Sequence, residues 1–225
     1  MSSTRPVALI IGMGPGLSAA LAQRFAAGGY AIAGFARSPE KSAALAASMA
    51  EAGHKLDLRS VDAGDYSALA SAVRAVEAQL GPVEVLVYNA YSATPALPSE
   101  IPLGALMADF RVNVGGALAA VQAVLPGMQT RGRGSLLLTG GGLALDPTPW
   151  LPAASLAVGK AGIRSLARSL HKELEGTPIR VGTVTITGQI LPGTPLAPDI
   201  LAQHFWDLHA ASEQGPEPGP VEVIV

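Results

Sequence analysis

Short unbroken apolar runs recur along this chain, and a longer amphipathic stretch follows nearly every one. Strands are expected near Val7–Ile11, Tyr30–Phe35, His54–Leu58, Val83–Val87, Ser135–Thr139, Ile179–Ile186 and Val221–Val225. Runs such as Val85-Leu86-Val87 and Leu136-Leu137-Leu138 lack polar alternation, which suits strands covered on both faces. Helices are expected near Leu17–Ala27, Lys41–Ala52, Tyr66–Leu80, Leu103–Gln129, Ala153–Glu175 and Ile200–Ala210, and Gly81-Pro82 stops the third of them. Strands alternating with helices specify βαβ units. The expected fold is therefore α/β: a doubly wound parallel sheet of about seven strands with helices on both faces. No internal repeat or interdomain linker interrupts the pattern, so residues 1–225 are read as one domain, with Gly215–Pro220 as a loop.

Composition narrows the function classes. The 225 residues are 49% hydrophobic and 14% charged, a balance that suits a sheet buried on both faces. A net charge of −2 without a basic run gives no reason to expect a nucleic-acid partner. The chain has no cysteine, which excludes disulfides, thiolate catalysis and cysteine-ligated metals, and no metal site is expected. That usage is compatible with a cytoplasmic protein. The apolar run Val7–Ile11 is too short for a signal peptide or a membrane span, so no membrane partner is expected.

Gly12-Met13-Gly14-Pro15-Gly16 follows the first strand and opens the first helix at Leu17. Glycines there let the backbone approach a pyrophosphate whose charge sits on the helix N-terminus. In this context the turn points to a Rossmann-type dinucleotide site, with Gly12, Gly14, Gly16 and Leu17 cradling the phosphates. NAD-binding sites of this kind place a carboxylate after the second strand to bond the ribose 2′-hydroxyl. Here the segment reads Phe35-Ala36-Arg37-Ser38. Arg37 suits a 2′-phosphate through bidentate hydrogen bonds and Ser38 adds a hydroxyl, so NADP is favoured over NAD.

These segments, with others further along, resemble the short-chain dehydrogenase/reductase family over almost the whole chain. Its Gly-x-x-x-Gly-x-Gly turn is matched at Gly12 and Gly16, with Ser18 in place of the third glycine. The resemblance implies that Asp62 contacts the adenine. It also implies that Asn89 and Ala90, in Tyr88-Asn89-Ala90-Tyr91, border the cofactor. Gly188 and the Ile190 backbone, in Thr187-Gly188-Gln189-Ile190, would meet the nicotinamide carboxamide. It implies a substrate lid near residues 188–215 and assembly into a homodimer or homotetramer. The small residues Ala117, Ala119, Ala120, Gly159 and Ala161 would permit close helix approach.

The family's catalytic set is Asn, Ser, Tyr and Lys. Asn113 and Lys160 match it, whereas the serine place falls on Gly141 and the tyrosine place on Leu156. The two lost groups are those that touch the substrate oxygen. Tyr91 is the candidate replacement hydroxyl, because its loop should border the nicotinamide half of the cleft. Ser155 is expected to face elsewhere, being rotated about 100° from Leu156. Gly140-Gly141-Gly142 would open room for a bulky substrate or expose backbone N–H groups as an oxyanion site. Trp150, Phe205 and Trp206 are expected at a cleft or subunit contact, and His204 and His209 at a surface.

Three functions fit. The first is an NADP-dependent oxidoreductase acting on a small carbonyl, enone or imine-like molecule, with Asn113, Lys160 and Tyr91 as its catalytic residues. The second is a non-catalytic NADP-binding regulatory or interaction protein. The third is a non-redox enzyme on the same fold.

Overall fold

The computed structural model describes residues 5–211 and 220–225. Seven strands form one sheet: β1 (Val7–Ile11), β2 (Ala31–Ala36), β3 (Leu56–Ser60), β4 (Val83–Tyr88), β5 (Gly134–Thr139), β6 (Ile179–Thr185) and β7 (Glu222–Ile224). Their order is β3-β2-β1-β4-β5-β6-β7 and every pairing is parallel. The sheet is thus the Rossmann-like α/β arrangement that the apolar runs predict. Strand order reverses between β1 and β4, and ligands of such sheets bind beyond the carboxyl ends of the strands at that switch.

One face is covered by α1 (Leu17–Ala27), α2 (Ala43–Glu51) and α7 (Pro198–Ala210), whose Leu21, Phe25, Met49, Leu201 and Phe205 pack on alternate residues of the strands. The other is covered by α3 (Tyr66–Leu80), α5 (Gly116–Arg131) and α6 (Ala154–Glu173). Strands β1 and β5 are buried throughout, which is why they carry no polar alternation. The last strand is pinned by Glu222, which takes three hydrogen bonds of 2.8–3.0 Å from Arg164 and one of 2.7 Å from Thr185. The Arg164 guanidinium holds the Glu222 carboxyl below its usual range.

Several boundaries move for local reasons. The expected strand at His54 starts at Leu56, because Gly53 turns at φ +80° and His54 N–H still closes onto Met49 O. The expected helix at Lys41 begins as a 3₁₀ turn, Pro39–Ser42, before α2. The expected helix Leu103–Gln129 is α4 (Leu103–Phe110) and α5 with a π turn, Arg111–Gly115, between them. A π turn frees carbonyls from the helical ladder. Here Tyr66 Oη donates to Arg111 O at 3.0 Å and Tyr88 Oη donates to Val112 O. Burial pushes the Tyr88 phenol well above its usual value, so it remains a donor. The helix must approach closely: a Cβ on Gly116 would lie 2.5 Å from Ala63 O.

Other expectations are corrected by packing. Ala117 and Ala120 face the chain's own core rather than another subunit, and Gly159 receives the Asn113 side chain, 2.5 Å from an added Cβ. Phe205 is fully buried, and Trp206 packs edge-on against Phe25 and Tyr30 with Arg24 stacked 3.8 Å away. His209 is buried too, its ring nitrogens 2.8 Å from Ser135 Oγ and Tyr30 Oη. This cluster lies at the amino ends of the strands, away from the switch. The loop expected at Gly215–Pro220 falls almost wholly outside the described residues. Among the described residues, no helix is long and apolar enough to cross a membrane.

Candidate active site at the carboxyl ends of the strands

The turn after β1 is held flat against the end of β4. Gly12 has φ +92°, and a Cβ there would lie 2.5 Å from Ala90 Cα, so only glycine fits. Gly12 and Met13 N–H groups donate to Phe35 O at 2.9 and 2.8 Å, locking the turn to β2. Gly14 and Gly16 differ: an added Cβ at either would meet no atom within 4 Å. Their backbone faces open space at the start of α1, where an anion is stabilised by the helix N-terminus. Leu17 buries its side chain in the core and leaves only its backbone to this turn.

Ser18 is more than a small substitute for glycine. Its hydroxyl donates to Gly12 O at 2.6 Å and accepts from Asn89 Nδ2 at 2.7 Å. One buried side chain thus ties the β1 turn to the end of β4 across the switch, and the Asn89 amide is engaged with protein. Arg37 and Ser38 follow β2; the Arg37 side chain is exposed and makes no hydrogen bond or ion pair with a described residue. Asp62, after β3, accepts from Gly64 N at 2.8 Å and is otherwise exposed.

The β5 side carries Lys160. Its Nζ donates to Thr139 O at 2.8 Å, and burial lowers its pKa to about 8. The stem of Lys160 lies over Gly141, where an added Cβ would meet Cγ, Cδ and Cε at 3.3 Å. The triple glycine is packed rather than open. A Cβ on Gly140 would lie 2.6 Å from Thr185 Oγ1, and one on Gly142 2.9 Å from Thr187 Cα. Gly140 and Gly142 spend their N–H groups on Val184 O and Ile186 O, at 2.8 and 2.7 Å. The expected room for a bulky substrate is absent here, and an oxyanion site cannot use those two N–H groups.

Asn113 sits in the π turn, buried, and pairs with the Ser92 backbone: Ser92 N–H donates to Oδ1 at 2.7 Å and Nδ2 donates to Ser92 O at 2.8 Å. It therefore anchors the loop that carries Tyr91, which is itself 62% exposed. Three residues unassigned from sequence complete this anchor. Asp109 accepts from Ser92 Oγ at 2.6 Å and from Thr94 N at 2.7 Å. Burial raises the Asp109 carboxyl, but hydrogen bonds from Ser92, Ser155 and Thr94 outweigh it and hold the group below its usual value. Ser155 is buried and accepts from Thr94 N at 3.1 Å. The i, i+4 spacing of Asp109 and Asn113 is the sequence signal that could have grouped them. The loop continues onto its neighbour, with Ala96 N–H donating to Pro152 O at 2.9 Å. After β6, Gly188 and Ile190 are exposed, and a Cβ on Gly188 would lie 2.7 Å from Leu196 Cδ1.

An open glycine turn at the switch of a parallel doubly wound sheet is the arrangement in which dinucleotide-binding α/β proteins hold their ligand. The family model for short chain dehydrogenases matches residues 6–199. The chain belongs to that family. It is 31% identical over 189 residues to an uncharacterized oxidoreductase of Mycobacterium tuberculosis, covering 83% of this chain and 74% of that one. It is 36% identical over 191 residues to a probable galactose dehydrogenase of Rhizobium meliloti, covering 82% and 70%. A metagenomic short-chain oxidoreductase solved in complex with NADP superposes with a TM-score of 0.85 at 25% identity, covering 100% of this chain and 98% of that one.

Proposed function

We propose that the protein is an NADP-dependent oxidoreductase with an altered proton-transfer site, acting on a small carbonyl, enone or imine-like substrate. The observation that carries the cofactor choice is the end of β2, where the Arg37 guanidinium is exposed and Phe35–Ser38 holds no carboxylate. A bound NADP in the metagenomic relative supports the same choice. The turn fits the group, since Gly14 and Gly16 leave space where a pyrophosphate needs backbone approach. Gly12, Gly14, Gly16 and Leu17 would hold the pyrophosphate and Arg37 with Ser38 the 2′-phosphate. Asp62 would meet the adenine, Asn89 and Ala90 would border the ribose, and Gly188 with the Ile190 backbone would hold the carboxamide. The nicotinamide supplies hydride when bound.

The chain's own residues set what happens around that transfer. Lys160 would hold ribose hydroxyls, and burial lowers its pKa to about 8. Asn113 keeps the Tyr91 loop in place, and Tyr91 presents a hydroxyl that Leu156 and Gly141 do not. A substrate already activated for hydride, such as an iminium, needs no donor at those positions. Exposed Leu103 and Met107 on α4 support assembly into a homodimer or homotetramer.

Calorimetric titration tests the reading. NADPH is expected to bind at least tenfold more tightly than NADH, and Arg37→Asp to reverse the order. Equal affinity for both cofactors in the unmodified protein would remove the Arg37 assignment. The non-catalytic reading rests on Gly141 and Leu156. If NADPH binds but no carbonyl, enone or imine is turned over, while Leu156→Tyr with Gly141→Ser creates carbonyl reduction, that reading replaces the first.

A further inference from the structure

Ser18 is the second residue of α1, at the place where the glycine fingerprint of dinucleotide sites puts its third glycine for close helix–strand packing. It is 2% exposed. The helix begins at Gly16 without a side-chain cap and without an acidic residue in its first turn. Its leading N–H groups are therefore left to an anionic ligand. The Ser18 hydroxyl is not aimed at that anion. Its single hydrogen goes back to Gly12 O at 2.6 Å, and its oxygen accepts from Asn89 Nδ2 at 2.7 Å.

These two bonds complete a clamp on the base of the turn. Gly12 N–H donates to Phe35 O at 2.9 Å, and a Cβ on Gly12 would lie 2.5 Å from Ala90 Cα. Asn89 N–H in turn donates to Ile11 O at 2.8 Å. Gly12 is thus held through its N–H by β2, through its carbonyl by α1 and through its Cα by the end of β4. Beyond it the turn is free: no described residue accepts from the N–H of Gly14 or Gly16. A segment held only at its ends takes its shape from those ends. Ser18 joins the two, because it belongs to the helix and holds Gly12.

We propose that Ser18 is a positioning residue for the dinucleotide, whose hydroxyl sets the turn in its phosphate-holding form before the cofactor arrives. The proposal rests on the oxidoreductase reading for its ligand. It predicts that putting the fingerprint's glycine at this place weakens the cofactor. Gly12 O and Asn89 Nδ2 would lose their partner, and the turn would have to be ordered on binding. The loss falls on the pyrophosphate, which NADPH and NADH share, and leaves the choice between them to Arg37.

The test is calorimetric titration of full-length Ser18→Gly and Ser18→Ala with NADPH and with NADH, alongside amide hydrogen exchange of the cofactor-free proteins. Both variants are expected to raise the Kd of NADPH about fivefold or more, and that of NADH by the same factor within about twofold. The amides of Gly12 and Met13, which donate to Phe35 O, are expected to exchange about tenfold faster, while β5 and α5 keep their protection. Unchanged affinity in Ser18→Gly overturns the proposal and leaves the oxidoreductase reading standing. So does unchanged affinity in Ser18→Ala beside a weakened Ser18→Gly, which would credit the β-carbon and not the hydroxyl. A loss confined to NADPH overturns it by moving the effect to the 2′-phosphate. Faster exchange across β5 and α5 as well as the turn overturns it by showing a general loosening. Failure of the unmodified protein to bind either cofactor overturns both readings together.

Discussion

The turns after β1 and after β5 are both glycine runs, and they use glycine for opposite reasons. In the β1 turn, Gly14 and Gly16 face empty space and Gly12 alone is pressed against Ala90. In the β5 turn, Gly140 and Gly142 are pressed against β6 and its continuation, and Gly141 carries the stem of Lys160. The first run leaves room for a ligand; the second lets two parts of the protein touch. A missing side chain therefore marks a binding surface only where nothing of the protein occupies its place.

Alanine substitutions sharpen that contrast. Gly12→Ala has the largest expected effect, because it combines a positive φ with backbone contact. A loss of more than ~3 kcal/mol is expected, seen as failure to fold or a steep fall in Tm. Gly140→Ala must displace Thr185 Oγ1 and is expected to cost about 1–3 kcal/mol, or roughly 2–4 °C in Tm per kcal/mol. Gly14→Ala should leave Tm almost unchanged, within about 0.5 kcal/mol, yet raise the Kd for NADPH. If Gly14→Ala destabilises as much as Gly140→Ala, the two runs do not differ in the way described.

Lys160 offers an intermediate effect tied to pH. Its folded pKa of about 8 lies below the ordinary lysine value, so the unfolded chain binds more protons between about pH 8 and pH 10.4. Its contribution to stability therefore rises with pH across that window, and its penalty is complete below about pH 8. The difference should be on the order of 2 kcal/mol. Thermal melts from pH 7 to pH 10 should show this slope in the unmodified protein and lose it in Lys160→Met. An unchanged slope in the variant would mean that the amine is hydrated. Gly141→Ser is a small perturbation: contacts of 3.3 Å to a flexible stem predict a cost below about 1 kcal/mol.

Much of the architecture was legible because it rests on local pattern. Val85-Leu86-Val87 suited a strand covered twice, and Gly12–Gly16 lay between a strand-like run and a helical one. What escaped depends on partners remote in sequence. His209 looked like a surface residue because Ser135 and Tyr30, its partners, come from other elements of the sheet. Helical rotation set Ser155 apart from Leu156 but could not name its partner, since Thr94 reaches it from another loop. The roles of the triple glycine depend on β6, which no inspection of residues 140–142 supplies. In the site, the turn after β1 and the positions of Asn113 and Lys160 could be marked in advance. That Asn113 spends its amide on Ser92, and that Asp109 shares the task, required the fold.

The π turn at Arg111–Gly115 also fixes how the chain can vary. One extra residue is accommodated within what would otherwise be a continuous helix from Leu103 to Arg131. Deleting one residue between 111 and 115 would restore regular winding and leave Ala117, Ala120, Val121 and Val124 on the sheet, because the wide turn absorbs the extra residue. Tyr66 and Tyr88 would lose the carbonyls of Arg111 and Val112 that the turn frees. The extra residue thus serves the contacts made at the turn rather than the direction of the helix that follows.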